Sequence, residues 1–259
     1  MIILIHTSKT MKPTPANGLG LSKPEFLKEA IEIAQYLKSL NNKQVQSAMQ
    51  VSAKLSTEVS EVLKDWSAIK NQGASMFSFR GDVYSGLQVN DFNNSDISYA
   101  NEHLRIVSGL YGILRPLDSV CTYRLEMGYK LPDDKFSNLY KYWGDKLART
   151  LPQEQSIVNL TSAEYGKAVI PFLKSYEIIS PKFLSWDTKS ETYKTVAVHS
   201  KIARGAFAHW LIVNKIENPD DLKEFDKLGY KYSHSLGTEL EPCFVCKEFG
   251  GKGLSVRLK

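Results

Sequence analysis

The chain has 259 residues, 42% apolar and 24% charged, with a formal net charge of +5. That length supports a sizeable core, and the composition is that of an ordinary globular protein rather than a disordered or fibrous one. Three cysteines do not make a disulfide framework and fit a reducing compartment. The opening apolar run is too short for a signal peptide, and no segment approaches a membrane span, so a soluble cytoplasmic protein is expected, with no membrane partner. A mildly basic balance is weak evidence for a polyanionic partner.

Residues 2–5, Ile-Ile-Leu-Ile, read as a short buried strand. A loop with Pro13, Pro15, Gly18 and Gly20 follows. Ser22 is placed to cap a helix with Pro24 in its first turn, and Phe26, Leu27, Ala30, Ile33, Ala34 and Leu37 give that helix one apolar face. Two short helices are expected at 43–50 and 57–66, joined by residues 51–56. Alternation at 74–79 predicts a strand. A helix at 96–104, a strand at 105–107, a helix at 138–151, a strand at 156–160 and a short helix at 162–167 come next. Residues 176–186 and 191–198 read as a hairpin interrupted by Pro181. Residues 201–216 form an amphipathic helix through Ala203, Phe207, Trp210 and Leu211, and 229–233 with 243–249 complete the sheet.

No strand–helix unit repeats at regular spacing, and no linker or low-complexity tract divides the chain. The fold class expected is therefore α+β: one mixed-sheet domain over residues 1–259, wrapped by helices, with an embedded helix-hairpin-helix-like element at 43–66.

Residues 79–128 hold the densest functional signal. Phe79-Arg80-Gly81-Asp82-Val83-Tyr84-Ser85-Gly86-Leu87, Ser108-Gly109-Leu110-Tyr111-Gly112-Ile113-Leu114-Arg115-Pro116-Leu117-Asp118 and Tyr123-Arg124-Leu125-Glu126-Met127-Gly128 set glycines beside Arg, Asp and Tyr. Glycine permits tight turns and close approach, and forked donors and acceptors on turns make binding surfaces. These blocks resemble the YaaA family of peroxide stress proteins. The resemblance extends to Ile2–Leu4 with Ser8-Lys9-Thr10, to Tyr140, Tyr142-Trp143-Gly144-Asp145, to Asn159-Leu160 with Ser162, Glu164 and Tyr165, and to Ala203-Arg204-Gly205. It implies a role in the peroxide stress response and DNA binding through a helix-hairpin-helix and a basic cleft. In the first loop Lys9 and Thr10 match the family pattern; the Pro and Ala before them do not.

The hairpin at 43–66 can hold a phosphate on unpaired backbone N–H groups at the start of its second helix, with Ser56 or Thr57 as cap. The glycine usual in such hairpins is replaced by Ala53-Lys54-Leu55, so an ordinary packed helix pair stays open as the alternative. Lys9, Lys43, Lys54, Arg80, Arg115, Arg124, Lys201 and Arg204 are the candidate DNA phosphate contacts, positioning duplex or branched DNA without reading its sequence. Lys201 and Arg204 are expected to open their helix, where a bound anion would relieve the clash with its dipole. Asp82, Tyr84, Asp118, Tyr123 and Glu126 are the candidate polar lining of the cleft. The rival reading is an enzyme acting on a nucleotide or nucleobase there, with Lys9 and the same carboxylates and tyrosines as acid, base or nucleophile. Local Arg115–Asp118 and Arg124–Glu126 ion pairs are the structural alternative.

Cys243 and Cys246 lack a second ligand pair, and Cys121 near Arg124 reads first as a small buried residue. No metal or cofactor is expected. P-loop, dinucleotide and nucleophile-elbow signatures are absent from the sequence.

Overall fold

The structure is a computed structural model that describes residues 1–15, 18–70, 72–153 and 155–255. Its centre is the strand Ile2–His6, buried along its whole length. It pairs in parallel with Leu104–Ser108 on one side and Ile157–Asn159 on the other. Gly112–Leu114 adds an antiparallel edge beyond Leu104–Ser108, and Ile178–Ile179 a parallel edge beyond Ile157–Asn159. A strand covered on both faces needs a continuous apolar run rather than alternation, and residues 2–5 supply it. A second sheet orders Thr192–Lys194, Lys182–Asp187, Pro242–Cys246 and Lys231–Gly237, with one parallel and two antiparallel pairings. The α+β class holds, with two mixed sheets in place of the one expected.

Several local expectations change. Residues 74–79 are not one strand: Gly73–Ala74 and Phe79–Arg80 are two-residue strands flanking the helical turn Ser75–Ser78, the first paired with Ser119–Val120 and the second with Thr10–Met11. The helix expected at 138–151 breaks into Leu139–Trp143 and Lys146–Arg149, because Gly144 takes φ 51°, ψ −132°. Ser22 caps no helix; that helix is Leu27–Ser39, and the Ser22 hydroxyl donates to Asp118 instead. Pro181 separates the two sheets: Ile178–Ile179 joins the first and Lys182–Asp187 the second.

Helices do occupy the 43–66 region, as Asn42–Met49 and Ala53–Asp65. The first carries a capping box between Asn41 and Gln44; the second is capped by Ser52, not by Ser56 or Thr57. The turn residue is Gln50, left-handed at φ 50°, ψ 51°, so Gln50-Val51-Ser52 is the connection. Ala53-Lys54-Leu55, expected in the hairpin, is the first turn of the second helix. Val45, Ala48, Met49, Val59 and Leu63 pin both helices to the core.

The long helix Ala197–Val213 crosses the short helix Asp82–Leu87 at a pair of glycines. A Cβ on Gly205 would sit 1.8 Å from the Val83 carbonyl oxygen, and one on Gly86 would sit 2.0 Å from the Ile202 carbonyl oxygen. Neither backbone can retreat without pulling its helix off the core. Replacing Gly205 with Ala is therefore expected to cost about 3 kcal/mol or more, read as a lowered urea midpoint. An unchanged midpoint would show that the helices are free to separate.

Candidate functional site

The three parallel strands Ile2–His6, Leu104–Ser108 and Ile157–Asn159 run the same way, and their chains leave the sheet at one edge. Strand order departs in opposite directions from Ile2–His6, which opens a crevice at that edge. A cleft of about 470 Å3 lies there. The loop after the first strand contributes His6 to Thr10. The helix Asp82–Leu87 contributes Asp82 and Tyr84, the loop after Cys121 contributes Glu126, the segment after Asn159 contributes Ser162, Glu164 and Tyr165, and the long helix contributes Lys201.

A hydrogen-bonded chain lines one wall. The Thr7 hydroxyl donates to Tyr165 Oη at 3.2 Å, and Tyr165 donates to Glu126 Oε1, also at 3.2 Å. Lys9 Nζ stands 4.0 Å from Glu126 Oε2. Burial pushes the Glu126 carboxyl above the ordinary carboxylate range; Lys9 pulls it back, and the neighbouring Glu164 raises it further. Burial, reinforced by Glu126, also holds the Tyr165 phenol in its neutral form. Glu164 is anchored by the Gly128 N–H, which donates to its Oε1 at 2.8 Å. Behind this wall Tyr123 and Ser108 share a 2.7 Å hydrogen bond in the core.

His6 closes the floor. Its ring stacks on Tyr165 with centroids 4.9 Å apart. The Ser162 N–H donates to His6 Nδ1 at 3.2 Å, which assigns the proton of the neutral ring to Nε2. Tyr84 donates its hydroxyl to the His6 carbonyl at 3.1 Å. Burial, aided by the charges of Arg204 and Lys201, lowers the His6 pKa to about 3. The ring is therefore neutral at physiological pH.

Of the residues singled out from the sequence, Lys9, Asp82, Tyr84, Glu126 and Lys201 line this cleft. Arg204 is close enough for its charge to act on His6. Lys201 and Arg204 lie at least a full turn inside a helix that begins at Ala197, so the expected clash with its N-terminal dipole does not arise. Arg124 is partly buried near Glu126 and Tyr129, and its Nε has no hydrogen-bond partner among the described residues. Tyr123 is inside the core.

Arg115 and Asp118 form an internal clamp. The fully buried Asp118 carboxylate accepts from the Arg115 backbone N–H at 2.8 Å, from the Arg115 guanidinium at 3.2 and 3.3 Å, and from Ser22. Arg80 Nη1 donates to the carbonyls of Phe77 and Phe79, and Nη2 to Thr14 Oγ1. Lys43 lies on a separate depression with Asn41 and Lys130, and Lys54 is exposed on the next helix. The cations thus fall into a cleft group, two structural clamps and a helical-hairpin group. The cleft itself mixes Lys9 and Lys201 with Asp82, Glu126 and Glu164.

The sequence reading passed over His6, Thr7, Glu164 and Tyr165 as site residues. His6 and Thr7 end an apolar strand, and the other two sat in a block singled out only for resemblance. Their position at the carboxyl edge of parallel strands was the missing signal. Cys121, Cys243 and Cys246 are buried free thiols. Among the described residues no cluster of three His, Cys, Asp or Glu could hold a metal ion, and no helix is long and apolar enough to cross a membrane.

The family model described as peroxide stress protein YaaA matches residues 1–236. A UPF0246 protein of Salinispora tropica is 48% identical over 258 residues, covering 99% of this chain and 98% of its own length. UPF0246 proteins of Marinomonas sp. and Aliivibrio fischeri are 39% and 37% identical, each covering 96% of this chain and 98% or 99% of their own length. The class these matches define is a peroxide stress protein. The chain belongs to the YaaA family.

The neutral His6 fixes the sign of one pH effect. The unfolded imidazole binds a proton below about 6.5, whereas the folded one resists until about 3. The stability that the neutral His6 contributes is complete above pH 6.5 and is lost as the pH drops through that window, by roughly 3 kcal/mol at pH 4. His6→Asn keeps an acceptor for Ser162 and should flatten this part of the stability–pH curve. Equal slopes for the two proteins, by chemical denaturation, would place the titrating group elsewhere.

Proposed function

We propose that this YaaA-family protein binds a nucleotide or nucleobase in the cleft and carries acid–base machinery to act on it. One observation carries the reading: a mostly buried carboxyl, Glu126, with raised proton affinity, joined to Tyr165 and facing Lys9, on the wall of a cleft of ligand size. Pockets of a few hundred Å3 with few convergent polar groups suit small ligands. A carboxyl whose pKa is raised by burial is a candidate for general acid–base work. Lys9 and Lys201 offer charge to a phosphate, and Glu126 offers a carboxyl edge that pairs with the donor and acceptor of a base. Tyr165 orients Glu126, and Thr7 orients Tyr165. The peroxide-stress setting follows from the family.

Isothermal titration with nucleobases and nucleoside monophosphates tests the reading. Saturable binding to the wild type is expected, weakened about tenfold or more by Lys9→Ala. Glu126→Gln should abolish any turnover. The raised Glu126 pKa means that ionising this group at neutral pH disfavours the fold, so the same Gln variant is expected to melt no lower than wild type. Lack of binding by every member of the panel would sink the proposal.

A second reading, DNA binding, has its own support. Lys43 and Lys54 are exposed on two capped helices, and neither forms an ion pair among the described residues. Cations at helix starts can grip a phosphate backbone without reading bases. Duplex and junction DNA should then bind with affinity that falls steeply with salt, and Lys54→Glu should weaken it at every sequence. Affinity that stays flat from low to high salt would remove this reading.

A further inference from the structure

The two crossing helices that shape the cleft also shape a second cavity at their other ends. It measures about 430 Å3 and shares no lining residue with the first. Its floor is Gly86 and Ala206, where the helices approach too closely for larger side chains. His209 and Trp210 give it an aromatic side, and the exposed Lys227 belongs to its lining.

Three polar groups here have a defined remaining capacity: His209, Trp210 and Lys227. His209 Nδ1 lies 2.9 Å from the Leu87 carbonyl oxygen, so Nδ1 carries the hydrogen, and Nε2 of the neutral ring is left as an acceptor. Stacking on Phe92, with centroids 5.0 Å apart, fixes the ring plane. Trp210 is 8% exposed, and its Nε1–H makes no hydrogen bond among the described residues. The residue is buried but its Nε1 is open to solvent, so the N–H is free to donate to a ligand that displaces water from the cavity. Lys227 pairs with Asp226 at 2.8 Å, but both side chains are exposed, and such surface pairs are weak enough for a ligand anion to compete.

The frame of the cavity is also unusual. Gln88 at φ 45° and Leu228 at φ 58° both contribute to its lining in left-handed conformations that disfavour non-glycine side chains. Backbone held this way costs stability and concentrates at ligand sites.

We propose that this cavity is a second small-molecule site, for a planar aromatic anion of one or two rings. The flat ring lies against Trp210 and Ala206, an acceptor on the ligand takes the Trp210 N–H, and its anionic group meets Lys227. The size, the flat aromatic side and the sign of the Lys227 charge each narrow the occupant to this class. The site stands whether or not the cleft binds nucleotides.

Two probes with the same ring system separate charge from shape: 8-anilino-1-naphthalenesulfonate and its uncharged counterpart N-phenyl-1-naphthylamine. Fluorescence titration of the full chain should give saturable 1:1 binding of the sulfonate, about tenfold tighter than the neutral probe. Lys227→Glu should remove that preference. In a nitrogen–proton spectrum with four tryptophans, the indole signal that shifts on binding should be the one missing from Trp210→Phe. If that variant does not fold, assigning the Trp66, Trp143 and Trp186 signals by single replacements identifies the fourth. Equal affinity for both probes, no effect of Lys227→Glu, preference for the neutral probe, or shifts confined to the other three indoles would each overturn the proposal.

Discussion

The contact on which the arrangement depends is the crossing of Asp82–Leu87 over Ala197–Val213. Its two glycines leave no room for even a methyl group between backbone and backbone. That closeness sets where Asp82 and Tyr84 stand relative to Lys201 and Arg204. It also brings those four residues to the carboxyl edge of the parallel strands. A helix pair at an ordinary separation of 8–10 Å would leave the cleft without its far wall. The same crossing forms the floor of the second cavity, so one packing decision shapes both concavities.

The chemistry of the cleft follows from burial acting on a few polar groups. Removal from water keeps His6 neutral, lifts Glu126 and holds Tyr165 protonated. Each group is then committed to a hydrogen bond that suits its form. Ser162 donates to the His6 acceptor, Tyr165 donates to Glu126, and Thr7 donates to Tyr165. Because these groups orient one another, loss of one disturbs the others. Lys9 is the exposed member, half accessible to solvent and 4.0 Å from Glu126. A wall of mutually hydrogen-bonded groups facing one exposed cation is the arrangement on which the proposed ligand reading rests. A purely structural pocket would be more stable with apolar residues of the same volume.

Arg80, Arg115 and Asp118 show why residue type alone misleads. An arginine fork matches carbonyls and carboxylates inside the protein as well as it matches phosphate. Arg115 and Asp118 lie three residues apart on a tight turn, and the turn folds them onto each other before any ligand arrives. Ser22 then uses Asp118 to tie the preceding loop down. These are the joints that keep the glycine-rich turns in place, and their presence beside true cleft residues in one stretch of sequence is what made that stretch look uniform.

The amino-acid order by itself determined the strand at 2–5, the amphipathic faces of the helices near 27–39 and 197–213, the helix pair near 43–66, the α+β class and the family. These rest on local periodicity and on motifs, written within a few residues of one another, whereas the expected caps Ser22, Ser56 and Thr57 were not the ones used. It also named five of the cleft residues: Lys9, Asp82, Tyr84, Glu126 and Lys201. Tertiary structure alone decided that the larger strands divide into two mixed sheets and that parallel strands end at one edge. It decided too that Glu126 meets Tyr165 and Lys9, and that Lys43 and Lys54 stand apart from that meeting. Those outcomes depend on pairings between residues up to about 160 positions apart. Hydrogen bonds and burial across such separations leave no periodic trace in the chain.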